Sequence, residues 1–301
     1  MKKIQGWINL YKPKNISSFK AINKIKKKLS LDKIGHAGTL DPLAEGILPI
    51  ALGKATKLIP YINSELKIYN FTITWGIQTS TEDAEGRILN SSKNLPNFKD
   101  IKKNINNFIG DLNQIPPKVS AVKINGKRAY KLARDNKSFE ILPKKVFVKS
   151  LEITKHEIFK TSFKIECGKG FYVRALARDL SRVLKTFGHI SFLEREKVGK
   201  FNKETSILLD DLLKIVQRHN EINCILPTIS MLDDILAYEI VDQKDIKDLS
   251  FGRSIKIDME YFKNSESIYL DKKIIFLSNK GDIVSIGRLV GNLFKPNKIL
   301  L

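Results

Sequence analysis

Gly35-His36-Ala37-Gly38-Thr39-Leu40-Asp41-Pro42-Leu43-Ala44-Glu45-Gly46-Ile47-Leu48-Pro49-Ile50-Ala51-Leu52-Gly53 gathers small, turn-forming residues around one carboxylate, Asp41, and one imidazole, His36. Pro42 fixes its own φ and biases Asp41 towards an extended backbone, while the glycines supply positive φ or close approach. The apolar residues from Ile47 to Leu52 anchor the far side in a core. The stretch predicts a rigid, partly buried loop that holds one aspartate still. On spacing alone, a structural turn whose Asp41 caps the next segment and a site built on Asp41 fit equally well.

Outward from this loop the chain alternates helical and strand periods. Upstream, Gly6 to Leu10 reads as a short strand ended by Tyr11-Lys12-Pro13-Lys14-Asn15. Ser17 or Ser18 then caps a helix whose predicted apolar face is Phe19, Ile22, Ile25 and Leu29. Downstream, Tyr69, Phe71, Ile73 and Trp75 alternate with Asn70, Thr72 and Thr74, the pattern of a strand with an aromatic face. Tyr69 there either fills a core or stacks on a base. Thr79 to Gly86 carries three acids and reads as a solvated hairpin end. Phe98, Ile101, Ile105 and Phe108 have helical spacing, and Asn125-Gly126 marks a hairpin with basic flanks. Strands are expected near 145–153 and 162–167, then a helix opening at Gly170-Phe171-Tyr172-Val173-Arg174. Arg174 stands at that helix's positive end, where a cation is unfavourable unless it meets an acid. Beyond about residue 234, short strands and turns, among them Asn279-Lys280-Gly281-Asp282, suggest a small β-barrel-like unit.

The 301 residues carry a net charge of +21, an attractive field for polyanions that argues for nucleic acid over small neutral substrates. No apolar run is long enough for a membrane span, and the basic N-terminus lacks the apolar core of a signal peptide, so a cytoplasmic protein is expected. Cys167 and Cys224 form no C-x-x-C pair. His36, His156, His189 and His219 lack metal-ligand spacing, and neither a phosphate loop nor a dinucleotide fingerprint is present. No metal and no cofactor are expected. A fixed aspartate, a tyrosine, an arginine and a basic surface suit nucleophilic chemistry at a ribose, with the target nucleotide flipped out of stacked RNA.

The stretch from Gly35 to Gly46 resembles the signature of the TruB-type tRNA pseudouridine synthases. The likeness continues in Lys12-Pro13, Lys67-Ile68-Tyr69, Ser120-Ala121-Val122-Lys123 with Gly126 and Tyr130, and Gly170-Phe171-Tyr172-Val173-Arg174. The resemblance implies isomerisation of the T-loop uridine, position 55 of tRNA, to pseudouridine. It makes Asp41 the catalytic nucleophile, Tyr69 the ring stacked on uracil, and Arg174 the partner of Asp41. His36 fills the space left by the flipped nucleotide, and Lys12 and Tyr172 support the pocket. Three departures stand out: Tyr11 in place of Asp, Phe171 in place of Thr, and Glu194 and Glu196 in a segment, Leu193-Glu194-Arg195-Glu196, that commonly reads Leu-Arg-Arg.

The expected fold is α+β, a large mixed, mainly antiparallel sheet flanked by helices. The expected units are a catalytic domain over 1–234, with an RNA-gripping insertion at about 110–140, and a small PUA-like RNA-binding domain over 235–301. The expected partner is the tRNA T-stem-loop, bound by a monomer. A non-catalytic RNA-binding or tRNA-folding protein on the same scaffold, and a guide-RNA-dependent synthase, are the alternatives.

Overall fold

The computed structural model describes residues 4–62, 66–135, 137–218, 223–232, 235–262, 274–280 and 282–301. The N-terminal residues 1–3, His219, the boundary residue 234 and Gly281 lie outside the described residues.

The first half of the fold is laid down by β1 (Gly6–Lys12), α1 (Ser18–Lys28), β2 (Ile34–His36), β3 (Glu45–Leu52), β4 (Lys67–Trp75), β5 (Ile77–Thr79), β6 (Ile88–Ser91), α2 (Phe98–Asn104) and β7 (Gly110–Gln114). The hairpin β8 (Lys123–Ile124) and β9 (Lys127–Arg128), with α3 (Ala129–Arg134), precedes the long pair β10 (Lys144–Glu157) and β11 (Lys160–Cys167). Then come α4 (Val173–Val183), β12 (Gly188–Val198), β13 (Phe201–Asn202), β14 (Ile207–Leu208) and α5 (Leu209–Arg218). Among the described residues one sheet has the order β14-β1-β3-β12-β4-β11-β10-β7, with β2 beside β3 and β13 beside β12. Its pairings are antiparallel except β1 with β14 and β12 with β3.

Alternation along β4 does what its sequence requires. Tyr69, Phe71, Ile73 and Trp75 are buried in the main core, and Phe71 stacks on Phe163 of β11 with ring centroids 5.1 Å apart. The other face carries Thr72 against Ser162 and Asn70 against Glu196. α1 corrects the expected apolar face. Ser18, Ala21, Ile22 and Ile25 point inward, whereas Phe19 is 67% exposed. Ser18 takes the inward place because its hydroxyl bonds the loop below, which turns Phe19 outward. Phe98 is likewise exposed, and only Ile101 and Ile105 of its expected face are fully buried.

The remaining chain forms β15 (Leu236–Glu239), α6 (Gln243–Ser250), β16 (Ile255–Lys256), β17 (Ile274–Asn279), β18 (Asp282–Val290) and β19 (Leu293–Ile299), a curled five-stranded sheet in the order β15-β17-β18-β19-β16. It shares a core with the large sheet: Trp7, Leu58, Phe201 and Met231 pack in one cluster with Phe276, Ile283 and Ile286. No helix among the described residues is long and apolar enough to cross a membrane.

Candidate active site

Asp41 lies in the turn between β2 and β3, and this turn is fastened on two sides. The buried Ser18 hydroxyl accepts from the Leu40 N–H and donates to the Leu40 carbonyl, both at 2.9 Å. Lys12, at the end of β1, is fully buried and donates from Nζ to the carbonyls of Ala44 at 2.5 Å, Pro13 at 2.8 Å and Ile16 at 2.8 Å. Burial pushes its ammonium pKa down to about 8, against the opposing pull of Asp41. Gly46 is required: its φ is +108°, and a Cβ there would lie 2.3 Å from the Arg195 carbonyl oxygen.

Arg174, the second residue of α4, meets Asp41 at two points. Nη2 donates to Oδ1 at 3.1 Å, and Nε stands 2.9 Å from Oδ2 in an ionic contact outside hydrogen-bond alignment. The same guanidinium donates to the carbonyls of Thr81 at 2.9 Å and Val119 at 3.1 Å, and Nε lies 3.7 Å from Asp83 Oδ2. The cation at the helix's positive end therefore has two carboxylate partners. Its side chain and that of Asp83 are 5% and 4% exposed, whereas Asp41 is 34% exposed. One carboxylate is sealed in and the other faces the open.

Asp83 corrects the solvated reading of Thr79 to Gly86. The turn docks onto β12, with Ile190 N–H donating to the Glu82 carbonyl at 3.0 Å and Ala84 N–H to the Ile190 carbonyl at 2.9 Å. Glu82 accepts from Arg178 at 3.0 Å, and burial pushes its carboxyl pKa up, with Arg178 opposing. Paired burial replaces solvation because α4 brings two arginines to the turn.

Asp41, Tyr69, Tyr172 and Arg174 line one cavity of about 250 Å³, together with Lys67 and Arg195. A larger hollow of about 430 Å³ is lined by Thr81, Val119 and the Glu82–Arg178 ion pair, whose side chains are both largely buried, and it includes neither Asp41 nor Arg174. Tyr69 belongs to the core and also forms a wall of the cavity near Asp41. Burial raises its phenol pKa, Arg195 opposing, so the ring stands neutral. Burial also raises that of Tyr172, whose backbone N–H donates to Gln114 Oε1 at 2.8 Å and thereby ties the helix start to β7. His36 and Lys12 do not line the cavity. His36 is half-buried on β2 opposite Ile50, and burial, helped by Arg195, lowers its pKa and keeps the imidazole neutral.

Arg195 is the site residue that sequence reasoning left out. It is fully buried, donating from Nε to the Ile47 carbonyl at 2.6 Å and from Nη2 to the Gly38 carbonyl at 2.9 Å. It thus spans the Asp41 loop from Gly38 to Ile47. Strand alternation was the available signal: Leu193 and Arg195 share the cavity side, leaving Glu194 and Glu196 on the other. There, Glu194 accepts from Tyr11 Oη and Lys203 Nζ, each at 2.8 Å, and Glu196 pairs with Lys164 at 3.0 Å. Two of the unusual residues, Tyr11 and Glu194, are therefore partners of each other.

Residues 26–173 match the model of a family described as TruB family pseudouridylate synthase (N terminal domain). A tRNA pseudouridine synthase B of Ehrlichia chaffeensis is 40% identical over 297 residues, covering 98% of both chains. The chain belongs to the TruB family of pseudouridylate synthases. A second TruB-family relative, the tRNA pseudouridine synthase B of a Caulobacter species, is 42% identical over 253 residues, 84% of this chain and 81% of its own. The fold is shared with a chain in a solved H/ACA ribonucleoprotein bound to a substrate RNA, at a TM-score of 0.73 and 20% identity over 98% of this chain and 85% of that one. This TruB-family chain is a pseudouridine synthase.

Proposed function

We propose that this enzyme converts the T-loop uridine at position 55 of tRNA to pseudouridine, with Asp41 as the nucleophile. The observation that carries the reading is the two-point contact of Arg174 on a carboxylate that remains open to a cavity walled by Tyr69. A carboxylate held at two points by a guanidinium stays aimed into the cavity. The N1–C1′ bond of the uridine breaks, the uracil turns within the cavity, and C5 bonds to C1′. The proton on C5 is then lost and N1 gains one, so the reaction is an isomerisation needing neither metal nor cofactor.

Tyr69, neutral and rigidly held, stacks on the uracil, and Tyr172 closes the opposite side. The nucleotide leaves its stack at a cost of a few kcal/mol. His36, neutral and beside the loop, fills the gap. Lys12 acts from beneath by holding the loop. Residues 1–234 carry the reaction, the insertion at about 110–140 grips the RNA, and residues 235–301 form a further RNA contact, all in one cytoplasmic monomer. The names of the relatives, tRNA pseudouridine synthase B, support tRNA as substrate.

The test is tritium release from a T-stem-loop transcript labelled at uridine C5, with the protein alone and no guide RNA. Release supports the reading. Binding without release would leave a non-catalytic RNA-binding protein, and release only on addition of a guide RNA would leave the guide-dependent alternative.

A further inference from the structure

We infer that the exposed face of α1 is a second grip on the substrate RNA, holding its phosphodiester backbone beside the reacting nucleotide; this rests on the tRNA reading above. The helix, Ser-Phe-Lys-Ala-Ile-Asn-Lys-Ile-Lys-Lys-Lys over Ser18–Lys28, contains five lysines and no acid. With Ser18, Ala21, Ile22 and Ile25 buried, Lys20, Lys24, Lys26 and Lys27 stand in solvent. None of them has a carboxylate partner among the described residues, whereas Lys149, Lys164, Lys203 and Lys214 each face one.

The arrangement opposes the helix's own stability. Lys20 with Lys24, and Lys24 with Lys28, are like charges four residues apart, a spacing that destabilises a helix. Lys20 also lies in the first turn, where the helix dipole disfavours a cation. Next to it, Phe19 exposes a large ring to water although the core position beside it is taken by a serine. An RNA strand resolves each of these features, because phosphates neutralise the lysines and an unstacked base covers the ring.

The position of the face supports the assignment. Ser18, which fastens Leu40 next to Asp41, directly precedes Phe19, so the basic stripe begins at the clamp on the catalytic loop. Lys20, Lys24 and Lys27 follow at i, i+4 and i+7, a row about 10 Å long.

The experiment compares Lys20→Gln/Lys24→Gln/Lys27→Gln with Lys99→Gln/Lys102→Gln/Lys103→Gln on α2, measuring T-stem-loop binding from low to moderate salt. For the α1 variant, weaker binding and a log–log salt slope shallower by about 2 are expected, since each lost phosphate contact removes about 0.7–0.9 from the slope. The α2 variant should keep the parent slope. Phe19→Ala should weaken binding on the order of tenfold with the slope unchanged. Thermal melts should show the α1 variant as stable as the parent or more so, since like charges are removed. An unchanged slope in the α1 variant, or an equal loss in both triple variants, would overturn the inference. Absence of tritium release by the parent protein would instead overturn the proposed reaction, while the slopes still judge the helix by itself.

Discussion

Replacing Arg174 with Met should damage the fold more than replacing Asp41 with Asn, although both should stop turnover. Arg174→Met leaves Asp83, whose side chain is 4% exposed, without its cation, and strips the carbonyls of Thr81 and Val119 of a donor. Removing one partner of a buried ion pair costs about 3–5 kcal/mol. That is a large part of the roughly 5–15 kcal/mol that holds a domain together. At about 2–4 °C per kcal/mol for a unit this large, the melting temperature should fall by about 10 °C. Asp41→Asn differs because Asp41 is 34% exposed, so water replaces part of what is lost and Arg174 keeps Asp83. Its cost should stay below about 1 kcal/mol, as for a solvent-screened pair. Melts followed by circular dichroism, in parallel with single-turnover tritium release, measure both. A Met variant melting within about 3 °C of the parent, or an Asn variant falling as far, would refute the sealed role given to Asp83 and Arg174.

Other outcomes follow from the same contacts. The Lys12 pKa, lowered to about 8 from 10.5, means that between these values the unfolded chain binds a proton the folded chain does not. Lys12 should therefore add a positive slope to stability as pH rises from 8 to 10.5, at most about 1.4 kcal/mol per pH unit, and denaturant titrations across that range should lose this increment in Lys12→Met. Gly46→Ala should lower stability by several kcal/mol and displace β12, because the new Cβ meets the Arg195 carbonyl at 2.3 Å; failure to see a lowered melting temperature would contradict the close approach. Glu194→Gln acts on the face opposite the cavity, so RNA affinity should stay within about twofold, and a tenfold gain would place that acid against the RNA.

Much of this was legible before the fold was known, because local chemistry states it directly. The alternation from Tyr69 to Trp75 names a strand and its buried face, and Asn125-Gly126, with φ of 47° and 80°, forms the expected hairpin turn. Asp41 was conspicuous because glycines and a proline crowd around it. What stayed hidden depends on tertiary docking. Asp83 has no local feature separating it from Glu82 or Glu85 until α4 delivers Arg174. Phe19 looked like core because helical spacing cannot reveal that Ser18 is held inward by a hydrogen bond to Leu40. Arg195 was obscured by its acidic neighbours, whose opposite orientation is a property of the strand rather than of their charge.

The central claim is that the Asp41 carboxylate performs the reaction while Arg174 holds it in place. Its most direct test is single-turnover tritium release from the C5-labelled T-stem-loop by Asp41→Asn, with RNA affinity measured on the same preparation. The account predicts no release above background and an affinity within about tenfold of the parent, or ~1.4 kcal/mol. Release at a rate comparable to the parent, or loss of binding together with turnover, would contradict it.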